Sequence, residues 1–196
     1  MKIIGITGPT GAGKTTALHA LVDLGAEVLD ADRVYHQLLD SDAHLTALLA
    51  DAFGDSILDE TGKVDRKKLS VAVYPDRLEE LNALTHPIIV DELFRRADLA
   101  RQAGRPAVAI DAIALIESGI AQRCDVVVAV LAPLETRIRR IMARDNIDEG
   151  YARRRALAQK GEDFFRTHSD YVLENSETDT PETFAARART LFESIL

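Results

Sequence analysis

The chain has 196 residues, 46% of them hydrophobic and 29% charged, with a formal net charge of −8. This is the balance of a globular domain with a sizeable core, and its acidity excludes a general nucleic-acid binder, which would carry a basic face. The longest apolar run, Val126 to Pro133, is far too short to span a membrane, and a lone cysteine, Cys124, excludes an internal disulfide and a thiolate metal cluster.

Ile3–Thr7 reads as a strand that starts almost at the first residue. This leaves no room for a targeting peptide, so a cytoplasmic location is expected. The strand runs into Gly8-Pro-Thr-Gly11-Ala12-Gly13-Lys14-Thr15, and a helical pattern follows from Thr16. Strand, glycine loop and helix in that order give G-x-x-x-x-G-K-[ST] its meaning. The glycines let successive N–H groups turn inward around a phosphate chain, and the helix start adds the positive end of its dipole. Lys14 is expected to reach the β- and γ-phosphates and Thr15 to ligate Mg²⁺. A cation in the first turn of a helix opposes the dipole, and a bound anion removes that conflict. One substrate is therefore a nucleoside triphosphate.

Glu27–Asp30 is the second strand, and Asp30-Ala31-Asp32 ends it. In an open parallel sheet, ligands bind beyond the carboxyl ends of the strands. A carboxylate there can accept the proton of an attacked hydroxyl and help to place Mg²⁺. Asp32 suits that work, and either acid could instead cap the helix beginning near Val34. About eighty residues separate this strand from the next, roughly four times what one crossover helix needs. The excess reads as an inserted helical subdomain, with a turn at Asp59–Gly62 and an amphipathic stretch from Asp76 to Arg101. Within it, His86 is either a satisfied buried histidine or a substrate contact, and Pro87 suits the first turn of a helix.

Ala107–Asp111 is an apolar strand ending in an acid that can hold Mg²⁺ through water. Glu117, six residues on, is a second candidate acid or a helix-surface residue. Cys124 reads as a small core residue beside the strand Val126–Leu131. Nine basic residues then crowd Glu135 to His168, among them Arg137, Arg140, Arg144, Arg155 and Lys160. They form either a solvated, ion-paired helix face or an arginine-bearing lid that closes over the triphosphate. Tyr171–Leu173 is the fifth strand, and Pro181–Ile195 a closing amphipathic helix. Short strands without in–out alternation, separated by helices, define an α/β class with a doubly wound parallel sheet.

These residues together resemble the dephospho-coenzyme A kinase family over nearly the whole chain. The matching motifs are Gly5 to Thr16, Leu24-Gly25 followed by Asp30-Ala31-Asp32, Gly62 to Leu69, and His86 to Ile89. Arg140 to Arg144, Arg155 to Gln159 and Ser169 to Asn175 complete the set. The resemblance implies a P-loop NTPase fold of three α/β/α layers around a five-stranded sheet, over residues 1–196. It implies a helical substrate-binding subdomain at 33–105 and a lid at 135–168. The implied reaction is ATP-dependent phosphorylation of the ribose 3′-hydroxyl of dephospho-CoA, with Mg²⁺, by a cytoplasmic enzyme expected to act as a monomer. Neither nucleic acid nor membrane is an expected partner.

The catalytic residues so implied are Asp32, Lys14 and Arg140. Gly11, Ala12, Gly13, Lys14, Thr15, Thr16, Arg144 and Asn175 would hold the nucleotide. Asp32, Arg66, His86, Asp111 and Glu117 would serve the acceptor, and Thr15 and Asp32 the metal. Two places depart from the family pattern. D-x-P-L-L-F-E is replaced by Asp111-Ala-Ile-Ala-Leu-Ile-Glu117, and Glu177 stands where a glycine is usual. The alternative reading is another small-molecule kinase of this loop class, acting on a nucleoside, nucleotide or sugar acid. A nucleotide switch is disfavoured, since no N-K-x-D guanine motif occurs.

Overall fold

The computed structural model describes all residues, Met1–Leu196. The chain divides into two compact units, Met1–Leu29 with Ala97–Leu196, and Asp30–Arg96.

The first unit is built on five strands: β1 (Lys2–Thr7), β2 (Glu27–Asp30), β3 (Ala107–Asp111), β4 (Val126–Leu131) and β5 (Tyr171–Glu174). Their order is β2-β3-β1-β4-β5, all parallel. Strand bounds expected from apolar runs agree to within a residue or so. Side chains alternate across the sheet although both faces are covered. Ile4, Ile6, Val128 and Val130 pack on one face with Leu21, Phe184 and Phe192. These come from α1 (Lys14–Asp23) and α9 (Pro181–Ile195). Ala129 and Leu131 pack on the other face with Phe165 of α8 (Glu162–Thr167). Thr180 opens α9 with a reciprocal capping box to Thr183, and Pro181 takes the first turn, where its missing N–H costs nothing.

Between β4 and α8 lie α6 (Leu134–Asp145) and α7 (Glu149–Leu157). They share a small core of Ile138, Ile141, Ala152 and Ala156. Asn146 ends α6 at φ 52°, ψ 50°, a left-handed conformation that asparagine tolerates. Asp148 then caps α7 by accepting from the Tyr151 N–H.

The second unit is helical: α2 (Ala31–Ser41), α3 (Ala43–Phe53), α4 (Arg66–Val73) and most of α5 (Leu78–Gln102). Aspartates start three of these helices. Asp30, Asp42 and Asp65 each accept from N–H groups in the first turn. The expected turn at Asp59–Gly62 forms, Asp59 Oδ1 accepting from the Thr61 and Lys63 N–H groups. Pro87 does not open a helix as its sequence setting suggested; it stands inside α5. The apolar pattern runs through it, and Ile89, Val90, Leu93 and Phe94 are all buried. That burial holds a continuous helix despite the missing donor at Pro87.

Candidate active site

The first unit carries the glycine loop, residues 8–15, between β1 and α1. No side chain caps α1, and no acid occupies its first turn. Its N-terminal dipole is left for an external anion. Gly13 enters the helix at φ 109°, and a Cβ there would lie 2.3 Å from Asn175 Nδ2. Any side chain at this position would be both strained and blocked. Lys14 Nζ donates to the Gly8 carbonyl at 2.8 Å, so the ammonium lies back across the loop. Thr15 is exposed and Thr16 half-buried in the same turn.

The loop's carbonyls are gripped by the arginine-rich segment. Arg140 donates to the carbonyls of Gly11 (3.2 Å) and Ala12 (3.4 Å) and to Asn175 Oδ1 (3.2 Å). Asn175 is buried and returns its amide to the Ala12 carbonyl at 2.9 Å. Arg144, expected to contact the nucleotide, forks onto the Asp145 carboxylate. Arg155 reaches the same carboxylate at 2.6 Å. Hydrogen bonding from Arg144, then from Arg155, holds the Asp145 carboxyl down at about 2. The cluster is thus partly ion-paired helix surface and partly loop clamp. Glu177 accepts from Thr136 Oγ1 (3.0 Å) and Arg139 (3.2 Å), tying the segment after β5 to α6.

Asp111 ends β3 in register with Ile6 of β1, beside the strand that feeds the loop. Residues 112–119 run in turns rather than a helix, and Glu117 is exposed there. Cys124 is half-buried, and desolvation followed by the Asp125 charge pushes its thiol up to about 12. It is an inert packing residue.

In the second unit, Asp30 is spent on the Arg33 N–H as the cap of α2, while Asp32 lies exposed in the first turn. Arg66 pairs with Asp40 at 3.0 Å. It also lines a cleft of about 220 Å³ with Tyr35, His36, Leu69, Val73 and Leu81. Burial raises the Tyr35 phenol pKa and the Arg66 charge opposes that rise. His86 is half-buried within α5.

Two residues were missed from sequence as site residues, Arg137 and Gln159. Both hydrogen-bond to Thr10 in the loop. The signal for Arg137 was its place three residues after Leu134 and four before Ile141, on the apolar stripe of α6.

The parallel sheet and anion-ready loop define a nucleotide-binding protein of the phosphate-loop class. A family model described as dephospho-CoA kinase matches residues 2–180. A dephospho-CoA kinase of Corynebacterium jeikeium is 38% identical over 183 residues, covering 91% of this chain and 92% of its own. That of Geobacter sulfurreducens is 35% identical, covering 95% of each. Among solved structures, TT1252 from Thermus thermophilus superposes with a TM-score of 0.80 at 31% identity, covering 100% of this chain and 97% of its own. The Campylobacter jejuni dephospho-CoA kinase gives 0.71 at 22% identity, covering 98% and 96%. The chain belongs to the dephospho-CoA kinase family.

Proposed function

We propose that the protein transfers the γ-phosphoryl group of ATP to the ribose 3′-hydroxyl of dephospho-CoA, giving CoA and ADP. One observation carries this reading. The family match spans residues 2 to 180, a range that includes the glycine loop and the Asp30–Arg96 unit. In this reading residues 33–105 bind the acceptor and 135–168 act as the lid.

Asp32 accepts the proton of the 3′-hydroxyl as its oxygen bonds to phosphorus and the bond to the ADP oxygen breaks. Its exposed carboxylate is not committed to capping α2, which Asp30 does. Lys14 and Arg140 offset the charge that develops on the phosphoryl oxygens. Gly11, Ala12, Gly13, Thr16, Arg144 and Asn175 serve the nucleotide, and Arg66, His86, Asp111 and Glu117 the acceptor.

No group of three or more His, Cys, Asp or Glu side chains is assembled to hold a metal. Mg²⁺ takes one or two protein oxygens and fills its shell with phosphate and water. The Thr15 hydroxyl and the Asp32 carboxylate would be those oxygens. When bound, Mg²⁺ supplies charge neutralisation on the β- and γ-phosphates. No helix is long and apolar enough to cross a membrane. The enzyme acts as a cytoplasmic monomer on two small molecules.

ADP release across an acceptor panel tests the reading. Dephospho-CoA should outpace AMP, nucleosides and gluconate, and faster turnover of any of these would overturn it. Asp32→Asn should lower kcat by ~10²–10⁴-fold, the range for a lost general base. Near-normal turnover of the folded variant would remove Asp32 from that role.

A further inference from the structure

Arg137 of α6 is the one ionisable residue in the buried set, at 5% exposure. All three of its hydrogen bonds go to neutral oxygens. Nε donates to the Thr10 carbonyl at 3.0 Å, and Nη2 to the Ala156 carbonyl at 3.3 Å and to Gln159 Oε1 at 3.2 Å. No carboxylate touches the guanidinium, although carboxylates pair with Arg139, Arg144, Arg153 and Arg155 around it. Burial pulls its pKa below that of a free guanidinium, with Glu162 acting in the opposite direction. A buried cation that touches no carboxylate is costly to desolvate. Its hydrogen-bond partners give it a role at the loop.

Thr10 indicates that role. Its carbonyl accepts from Arg137, its N–H donates to Gln159 Oε1 at 2.8 Å, and its hydroxyl accepts from Gln159 Nε2 at 3.0 Å. Gln159 in turn is held by Arg137. Every polar group of this loop residue is thus tied to the arginine-rich segment. At the next residue the α6 backbone lies directly on the loop. A Cβ on Gly11 would come within 2.8 Å of the Arg137 carbonyl oxygen and 3.1 Å of its Cα.

We propose that Arg137 is a positioning residue for the nucleotide phosphates. With Gln159 it fixes the loop at Thr10 and Gly11, and its buried charge is balanced by the bound polyphosphate rather than by a carboxylate. It acts through the loop, whereas Arg140 is the proposed catalytic arginine. The inference rests on ATP being the nucleotide of the proposed reaction.

The test compares wild type with Arg137→Met, which keeps length and volume, and Arg137→Lys, which keeps the charge without the fork. AMP, ADP and ATP are the probes. Arg137→Met should raise the KM for ATP roughly 2- to 30-fold, the scale for a residue that acts on a ligand site through intervening contacts. The KM for dephospho-CoA should stay within about twofold, since a loop defect does not act on uniform acceptor binding. The loss in affinity should grow from AMP to ATP, and Arg137→Lys should recover part of it. The thermal shift caused by ATP should shrink in Arg137→Met, measured from that variant's own ligand-free melting temperature. Equal changes in both KM values, or an undiminished ATP shift, would overturn the proposal. If Arg137→Met does not fold, Arg137→Lys decides by the same split between the two KM values. Failure of wild type to phosphorylate dephospho-CoA would sink the reaction assignment instead, and the ATP thermal shift would still test Arg137.

Discussion

Asp30 and Asp32 are the same residue type two positions apart, and local geometry divides their work. Asp30 lies where the backbone is still extended, so its carboxylate can turn back onto the Arg33 N–H. Asp32 is already inside the helix and points to solvent. The sequence displayed both acids but not the residue at which α2 begins, which decides between them. Arg66 makes a comparable distinction testable. Its pair with Asp40 is exposed on both sides, at 46% and 62%, and such pairs contribute little to stability. Arg66→Ala should therefore leave the melting temperature almost unchanged while raising the KM for dephospho-CoA and sparing that for ATP. A large loss of stability, or an unchanged acceptor KM, would show that Arg66 is structural.

At the scale of elements, the apolar runs carried most of the information. Strands buried on both faces are short and rich in Val, Ile and Leu, so their bounds could be read directly. Pro87 was misplaced because a proline signals a helix start only when packing does not override it; here the buried stripe of α5 continues past it. The arginine-rich segment was legible as a cluster but not by role. Arg140 clamps the loop, Arg144 and Arg155 share Asp145, and Arg137 is buried. Spacing cannot separate these, because each role depends on the partner that tertiary packing supplies. The shared carboxylate predicts a pH response. Asp145 has a folded-state pKa of about 2 against an ordinary 3.8. Its contribution is complete above the ordinary value and is lost as pH falls from about 4 towards 2. Acid unfolding followed by circular dichroism should be less steep in Asp145→Asn over that window. Identical profiles for the two proteins would contradict the assignment.

The whole molecule joins a sheet unit bearing the phosphate loop to a helical unit bearing Asp32 and the Arg66 cleft. The loop alone defines a class shared by many kinases. The family match extends well past the loop, to residue 180. The altered segment Asp111–Glu117 follows the strand paired with β1, and Thr7 Oγ1 at the end of β1 donates to the Ile113 carbonyl at 3.3 Å. The most direct measurement is phosphorus NMR with mass spectrometry of a reaction holding the protein, ATP, Mg²⁺ and dephospho-CoA. One new phosphate monoester on the ribose 3′-oxygen is expected for each ADP formed. ADP accumulating while dephospho-CoA keeps its mass would contradict it.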